Sequence, residues 1–179
     1  MTIDQVLRDV VRQRAGCACE FCGVHENDVG GKLTLDHFWP RSKGGGDALE
    51  NLVYCCVRCN QHKQDYWPKT PDMPQLWNPR RETWDIHFLE SAEGIWLPLT
   101  EIGQFTLNRL RLNRPALVSY RLKKQVQVEE SRLLERYKQL AELLNQSNQQ
   151  LVSLLLEQQI LLREQRALLQ LIARDRGEK

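Results

Sequence analysis

Two cysteine pairs, Cys19-x-x-Cys22 and Cys56-x-x-Cys59, restrict the folds open to this chain more than any other feature. Each has the spacing of a zinc knuckle, and two knuckles supply the four thiolates that surround Zn²⁺ tetrahedrally. A closed thiolate shell leaves no open coordination position, so this zinc is expected to be structural. Cys17 and Cys55 are then spares, and either could replace a neighbouring ligand, although the two-residue gap is the favoured knuckle geometry. In a reducing compartment six cysteines are not expected to form disulfides, and their arrangement in two close pairs favours metal thiolates. The start, Met1 to Arg14, carries charges at Asp4, Arg8, Asp9, Arg12 and Arg14 and lacks the apolar centre of a signal peptide. No run of about 18 apolar residues could cross a bilayer. The expectation is a cytoplasmic protein with no membrane contact.

The 179 residues divide into three stretches. Residues 1–66 open with an amphipathic helix, in which Ile3, Val6, Leu7, Val10 and Val11 recur at helical spacing. The cysteine pairs, a glycine loop (Gly44 to Gly46) and a short helix from Glu50 or Asn60 onward follow. Residues 67–113 begin with Pro68, Pro71, Pro74 and Pro79, which exclude helix and predict a wrapping loop. Asp85 to Leu89 and Ile95 to Leu99 then flank Ser-Ala-Glu-Gly as a β-hairpin. Residues 114–179 lack proline after Pro115 and read as helix to about Arg174. Val126, Leu133, Leu140, Ser147, Leu154, Leu161 and Leu168 stand seven apart, with Tyr137, Leu144, Leu151 and Ile172 at the second heptad position. One continuous helix and a hairpin turned at Asn145 to Gln150 both fit. Such an apolar face calls for a homo-oligomer or a partner subunit, the alternative being packing on its own domain.

Between the knuckles lies Asp36-His37-x-x-Pro40-x-Ser42-x-Gly44-Gly45, then Asn51-Leu52, then Cys59-Asn60-x-x-Lys63. This ordered set resembles the HNH endonucleases, the ββα-metal nucleases, over about Arg14 to Lys63. The fold class expected is therefore α+β: a zinc-stapled ββα-metal nuclease core, the hairpin, and a long C-terminal helical, coiled-coil-like segment. The resemblance implies a metal-dependent nuclease with His37 as general base, a role a neutral imidazole performs near pH 7. It implies Asn51 as the residue that holds the His37 loop, an amide being able to donate and accept at once. It implies Asp36 and Asn60 as ligands of a catalytic Mg²⁺ or Mn²⁺, which oxygen donors suit. Many relatives carry histidine where this chain has Asn60. His62 is the alternative ligand, but it would lie about 200° around a helix from Asn60, which is the expected one.

Net charge is only +2, so the distribution of charge matters more than its total. Acidic and basic residues balance up to about residue 70. From Leu107 to Lys124, Arg109, Arg111, Arg114, Arg121, Lys123 and Lys124 occur with no acid. Lys63, Arg41 and Lys43 beside the motif, with Arg109, Arg111 and Arg114, are the expected nucleic-acid contacts; a solvated helix face is the alternative for the basic segment. The five tryptophans are read chiefly as core and His25 and His87 as structural or exposed. DNA is the expected partner. The competing functions are a zinc-ribbon adaptor that does no chemistry, and the nuclease subunit of a multicomponent defence system.

Overall fold

A computed structural model describes the backbone of residues 3–177 and the side chains of residues 3–172. The ends of the expected first and last segments, residues 1–2 and 178–179, lie outside it. The chain forms two compact units, Met1–Val126 and Gln127–Lys179.

In the first unit the expected amphipathic helix is α1 (Gln5–Arg14), which ends at Ala15 and Gly16. Its apolar side packs on Leu52 and Tyr54, burying Val11. Its polar side reaches α2 (Glu26–Val29), where Arg12 grips Glu26 through contacts of 2.6 to 2.9 Å and the Tyr54 hydroxyl donates to the same carboxylate. His25 caps α2, its Nδ1 accepting from Asn27 N–H.

Strand β1 (Thr34–His37) pairs antiparallel with β2 (Leu52–Cys55), with Asp36 opposite Val53 and His37 opposite Leu52. A short 3₁₀ turn, Arg41–Lys43, interrupts the connection between them. Helix α3 (Val57–Lys63) follows β2 and completes a ββα unit. No helix or strand occurs from residue 64 to 83, as the prolines require. Helix α4 (Trp84–His87) runs into β3 (Phe88–Glu90), which pairs with β4 (Trp96–Pro98). The hairpin is thus present but shorter than predicted, because Trp84–His87 forms a helical turn where a strand was expected from Asp85. His87 is buried there, its Nδ1 2.6 Å from Thr100 Oγ1. Helix α5 (Glu101–Leu110) is capped by the Thr100 hydroxyl, and α6 spans Pro115–Gly177.

The main core gathers Phe21, Trp77, Phe88, Trp96, Leu110, Leu112 and Leu117 around the cysteines. Arg121 plugs into it from the first turns of α6. Its guanidinium donates to the carbonyls of Gly94 (2.6 Å) and Leu112 (3.0 Å) and lies over the Trp96 ring. Gln125 donates to Glu90 at 2.7 Å. The structure therefore places the start of the expected tail, as far as Val126, in the first unit.

In the second unit α6 is helical throughout, with no turn at Asn145 to Gln150. Its leucines are exposed, Leu133 at 50%, Leu144 at 61% and Leu161 at 58%. No helix among the described residues is long and apolar enough to cross a membrane.

Candidate functional site

The four knuckle cysteines come together as their spacing predicts. Cys19, Cys22, Cys56 and Cys59 are buried, with all ligand atoms within 4.8 Å of one another. Cys22 Sγ and Cys56 Sγ are 3.8 Å apart, about the edge of a tetrahedron with Zn–S bonds of about 2.3 Å. The donor set fits zinc. Local geometry builds each knuckle: Gly23, at φ 74°, turns the first back so that its N–H reaches the Cys19 carbonyl. Cys56 caps α3, its sulfur accepting from Cys59 N–H. Thiol contacts with Cys19, Cys22 and Cys59 hold the Cys56 thiol far below its ordinary range, and those with Cys19, Cys22 and Cys56 push that of Cys59 far up. Four sulfurs so crowded call for a cation at their centre. Of the spares, Cys55 is buried against Thr34, and burial drives its thiol up; Cys17 sits at the turn after α1.

Asp36 and His37 end β1, beside β2 and close to α3. His37 Nε2 lies 2.7 Å from Asp47 Oδ1. Among the described residues Nδ1 has no partner, and the side chain is 14% exposed. Asp47 also pairs with the Arg41 guanidinium, and these two contacts, His37 first, hold its carboxyl below the usual range. The carboxylate accepts a proton-bearing nitrogen, which puts the imidazole hydrogen on Nε2 and leaves the Nδ1 lone pair open. Asp47 was not singled out in the sequence. The available signal was that Asp47 and Glu50 are the sole carboxylates between His37 and Asn51, after a glycine run able to turn back.

Asn51 ties that loop together. Its Oδ1 accepts from Trp39 N–H at 2.7 Å, and its Nδ2 donates to the carbonyls of Trp39 (3.0 Å) and Gly46 (2.8 Å). Its own carbonyl accepts from Phe38 N–H at 2.8 Å. Gly45 is required here, since a Cβ would come within 1.8 Å of the Trp39 carbonyl oxygen.

Lys63 departs from the expectation of a phosphate contact. Its side chain is wholly buried, with Nζ 2.8 Å from Asp36 Oδ2 and 2.7 Å from the His37 carbonyl oxygen. The contact to Oδ2 falls outside hydrogen-bond alignment, so it is chiefly Coulombic, and Asp36 Oδ2 is otherwise without a partner. Asn60, half-buried, lies three residues before Lys63 on α3 and therefore on the same face; its amide bonds to no described residue. His62 falls on the Arg58 face. Burial there, with the charges of Arg111, Arg114 and Arg58, pushes its imidazole down.

The basic segment also turns largely inward. Arg109 donates to the Lys63 carbonyl at 3.2 Å and covers the Tyr66 ring. Arg114 donates to the carbonyls of Leu110 and Arg111 and points Nη2 at Cys56 Sγ, 3.9 Å away. Lys124 pairs with Asp28. Arg109, Arg114 and Arg121 thus each give donors to backbone carbonyls of the first unit, with Arg121 buried and Arg109 and Arg114 half-buried. Arg111 and Lys123 remain exposed, as do Arg41 beside Asp47 and Lys43 beside Asp65.

Residues 19–73 match the HNH endonuclease family. No curated protein matches the chain. The matched segment contains both knuckles, the strand pair and α3, and supports a nuclease-type function acting on nucleic acid.

Proposed function

We propose that this chain is a metal-dependent endonuclease that hydrolyses phosphodiester bonds in DNA, with His37 as general base. The observation that carries the reading is the division of labour on one imidazole. Nε2 is held by Asp47, while Nδ1, free of protein partners among the described residues, can take the proton of an attacking water. Asp47 fixes the tautomer and supports the charge that develops on the ring, as an orienting carboxylate does for any histidine base.

Asp36 and Asn60 hold a single Mg²⁺ or Mn²⁺ in this reading. Their oxygens are hard donors, and the Asn60 amide has no competing partner among the described residues. Lys63 neutralises one Asp36 oxygen and leaves the other for a ligand. The ion, when bound, supplies stabilisation of the charge on the leaving oxygen. Asn60 is preferred to His62, which sits on another face among arginines. Asn51 keeps the His37 loop closed. Lys43 and Arg111, both exposed, meet phosphate in this reading, with Arg41 held on Asp47 beside the base. The Cys19, Cys22, Cys56 and Cys59 site holds zinc and takes no part in the chemistry.

Cleavage of supercoiled plasmid by purified protein in Mg²⁺, with and without chelator, tests this beside His37→Ala and Asp47→Asn. His37→Ala should abolish cleavage. Asp47→Asn should slow it about 10–100-fold, the usual cost of losing an orienting partner. Identical traces from wild type and His37→Ala would refute catalysis by this residue.

A further inference from the structure

One aromatic pair stands apart from the rest. Trp77 and Trp96 are buried in the core, 4% and 7% exposed, as sequence reading expects of tryptophan. Trp39, by contrast, is 40% exposed and yet held on every side. Its backbone N–H and carbonyl are both bonded to the Asn51 amide. Its Nε1 donates to the Lys43 carbonyl at 3.0 Å. One ring face stacks on Trp67 at 5.3 Å and 19°. A large apolar ring kept in a single pose while partly open to water loses little further freedom when a flat ligand covers it.

Trp39 and Trp67 line a cavity of about 720 Å³, together with Phe38, Tyr66 and Asn51. Its charged lining is balanced, Glu50 and Glu82 against Lys69 and Arg81, so a bare string of phosphates gains nothing there. Aromatic faces beside amides and both signs of charge suit a neutral planar group that carries donors and acceptors at its edge. The cavity is also lined by the chain neighbours of His37. Phe38 and Trp39 follow His37 directly, and Asn51, which fixes Trp39, accepts from Phe38 N–H as well.

We propose that this cavity receives one unstacked nucleobase of the nucleic acid whose backbone lies at His37, with Trp39 as its stacking platform. The inference rests on the nuclease reading above. A base inside a regular duplex offers no free face, so the site selects single strands, ends or distorted positions, where the face is already open.

The test uses the full chain and a fluorescent oligothymidylate without added Mg²⁺, binding being read by anisotropy. An abasic oligonucleotide of equal length is the control. Wild type should prefer the oligothymidylate, and Trp39→Ala should weaken its binding about 5- to 150-fold, the range for loss of one stacked base. Trp39→Phe, which keeps a ring and the fold, should recover part of it. Because stacking is not ionic, the salt dependence should keep its slope. If wild type binds abasic and normal strands equally, or Trp39→Ala keeps the preference, no base sits on Trp39 and the proposal is overturned. Plasmid cleavage by the same preparations separates the two readings. Cleavage with no preference for bases sinks the cavity alone, whereas absent cleavage by wild type sinks the nuclease reading.

Discussion

Lys63 Nζ lies 2.8 Å from Asp36 Oδ2, and the lysine side chain is fully removed from solvent while the aspartate is 15% exposed. A buried ion pair of this kind is fragile toward loss of one partner, because the survivor is left charged and unpaired. Lys63→Met should therefore lower the unfolding free energy by about 3–5 kcal/mol. Combining it with Asp36→Leu should restore much of that loss, an outcome that urea denaturation at fixed zinc would detect. Equal stability of Lys63→Met and wild type would mean that the pair is not closed in solution. For activity work Asp36→Asn is the better probe, since Asp36→Ala strands the ammonium and confounds folding with catalysis.

Removal of one knuckle ligand should be more severe. Structural zinc contributes about 10–16 kcal/mol in small metal domains, more than a core of this size can spare. Cys19→Ser should be unfolded by near-ultraviolet circular dichroism, and elemental analysis of wild type should give one zinc per chain. Cys17→Ser, outside the tetrad, should keep both metal and fold. Folded wild type without zinc would refute the assignment.

Acid sensitivity should reveal the contact between α1 and α2. Arg12, with help from the Tyr54 hydroxyl, pulls the Glu26 carboxyl from its ordinary value of 4.5 down to about 2. A carboxyl lowered on folding binds fewer protons in the native state. Its stabilisation is present above about pH 4.5 and fades as pH falls toward 2. Glu26→Gln should thus melt lower than wild type at neutral pH, and the gap should close over that window. The comparison is read at pH values where both proteins still hold zinc, so that the difference between them isolates Glu26. A gap independent of pH would show that the ion pair contributes nothing.

Self-association should reside in Gln127–Ile172. Leu133, Leu140, Leu144, Leu151, Leu154, Leu161 and Leu168 are all at least half exposed, and burying each is worth about 1.5–3 kcal/mol. Sedimentation should find the full chain oligomeric. A stop after Val126, which spares the Arg121 and Gln125 contacts, should leave a monomer that still binds zinc. A monodisperse monomeric full chain at micromolar concentration would overturn this.

Much of the architecture was legible in the sequence because it depends on spacing along the chain. Two-residue gaps between cysteines define knuckles, the order Asp36-His37, Asn51, Asn60 defines the ββα unit, and the leucine repeat defines a helix with an unsatisfied face. The bounds placed on the hairpin were too wide, because Trp84–His87 takes a turn of helix and the second strand is confined to Trp96–Pro98. The destinations of the long charged side chains were not legible. Lys63, Arg109, Arg114 and Arg121 look like a phosphate-binding set in one dimension. In three, each is drawn to a carbonyl, carboxylate or sulfur more than 25 residues away along the chain. The same holds for Asp47 on His37 and for Trp39 against Trp77. Hydrophobic period and ligand spacing are local properties that the chain carries with it. Which cation is desolvated, which ring stays open and which carboxylate meets the histidine depend on what packs opposite, and only the tertiary structure decides that.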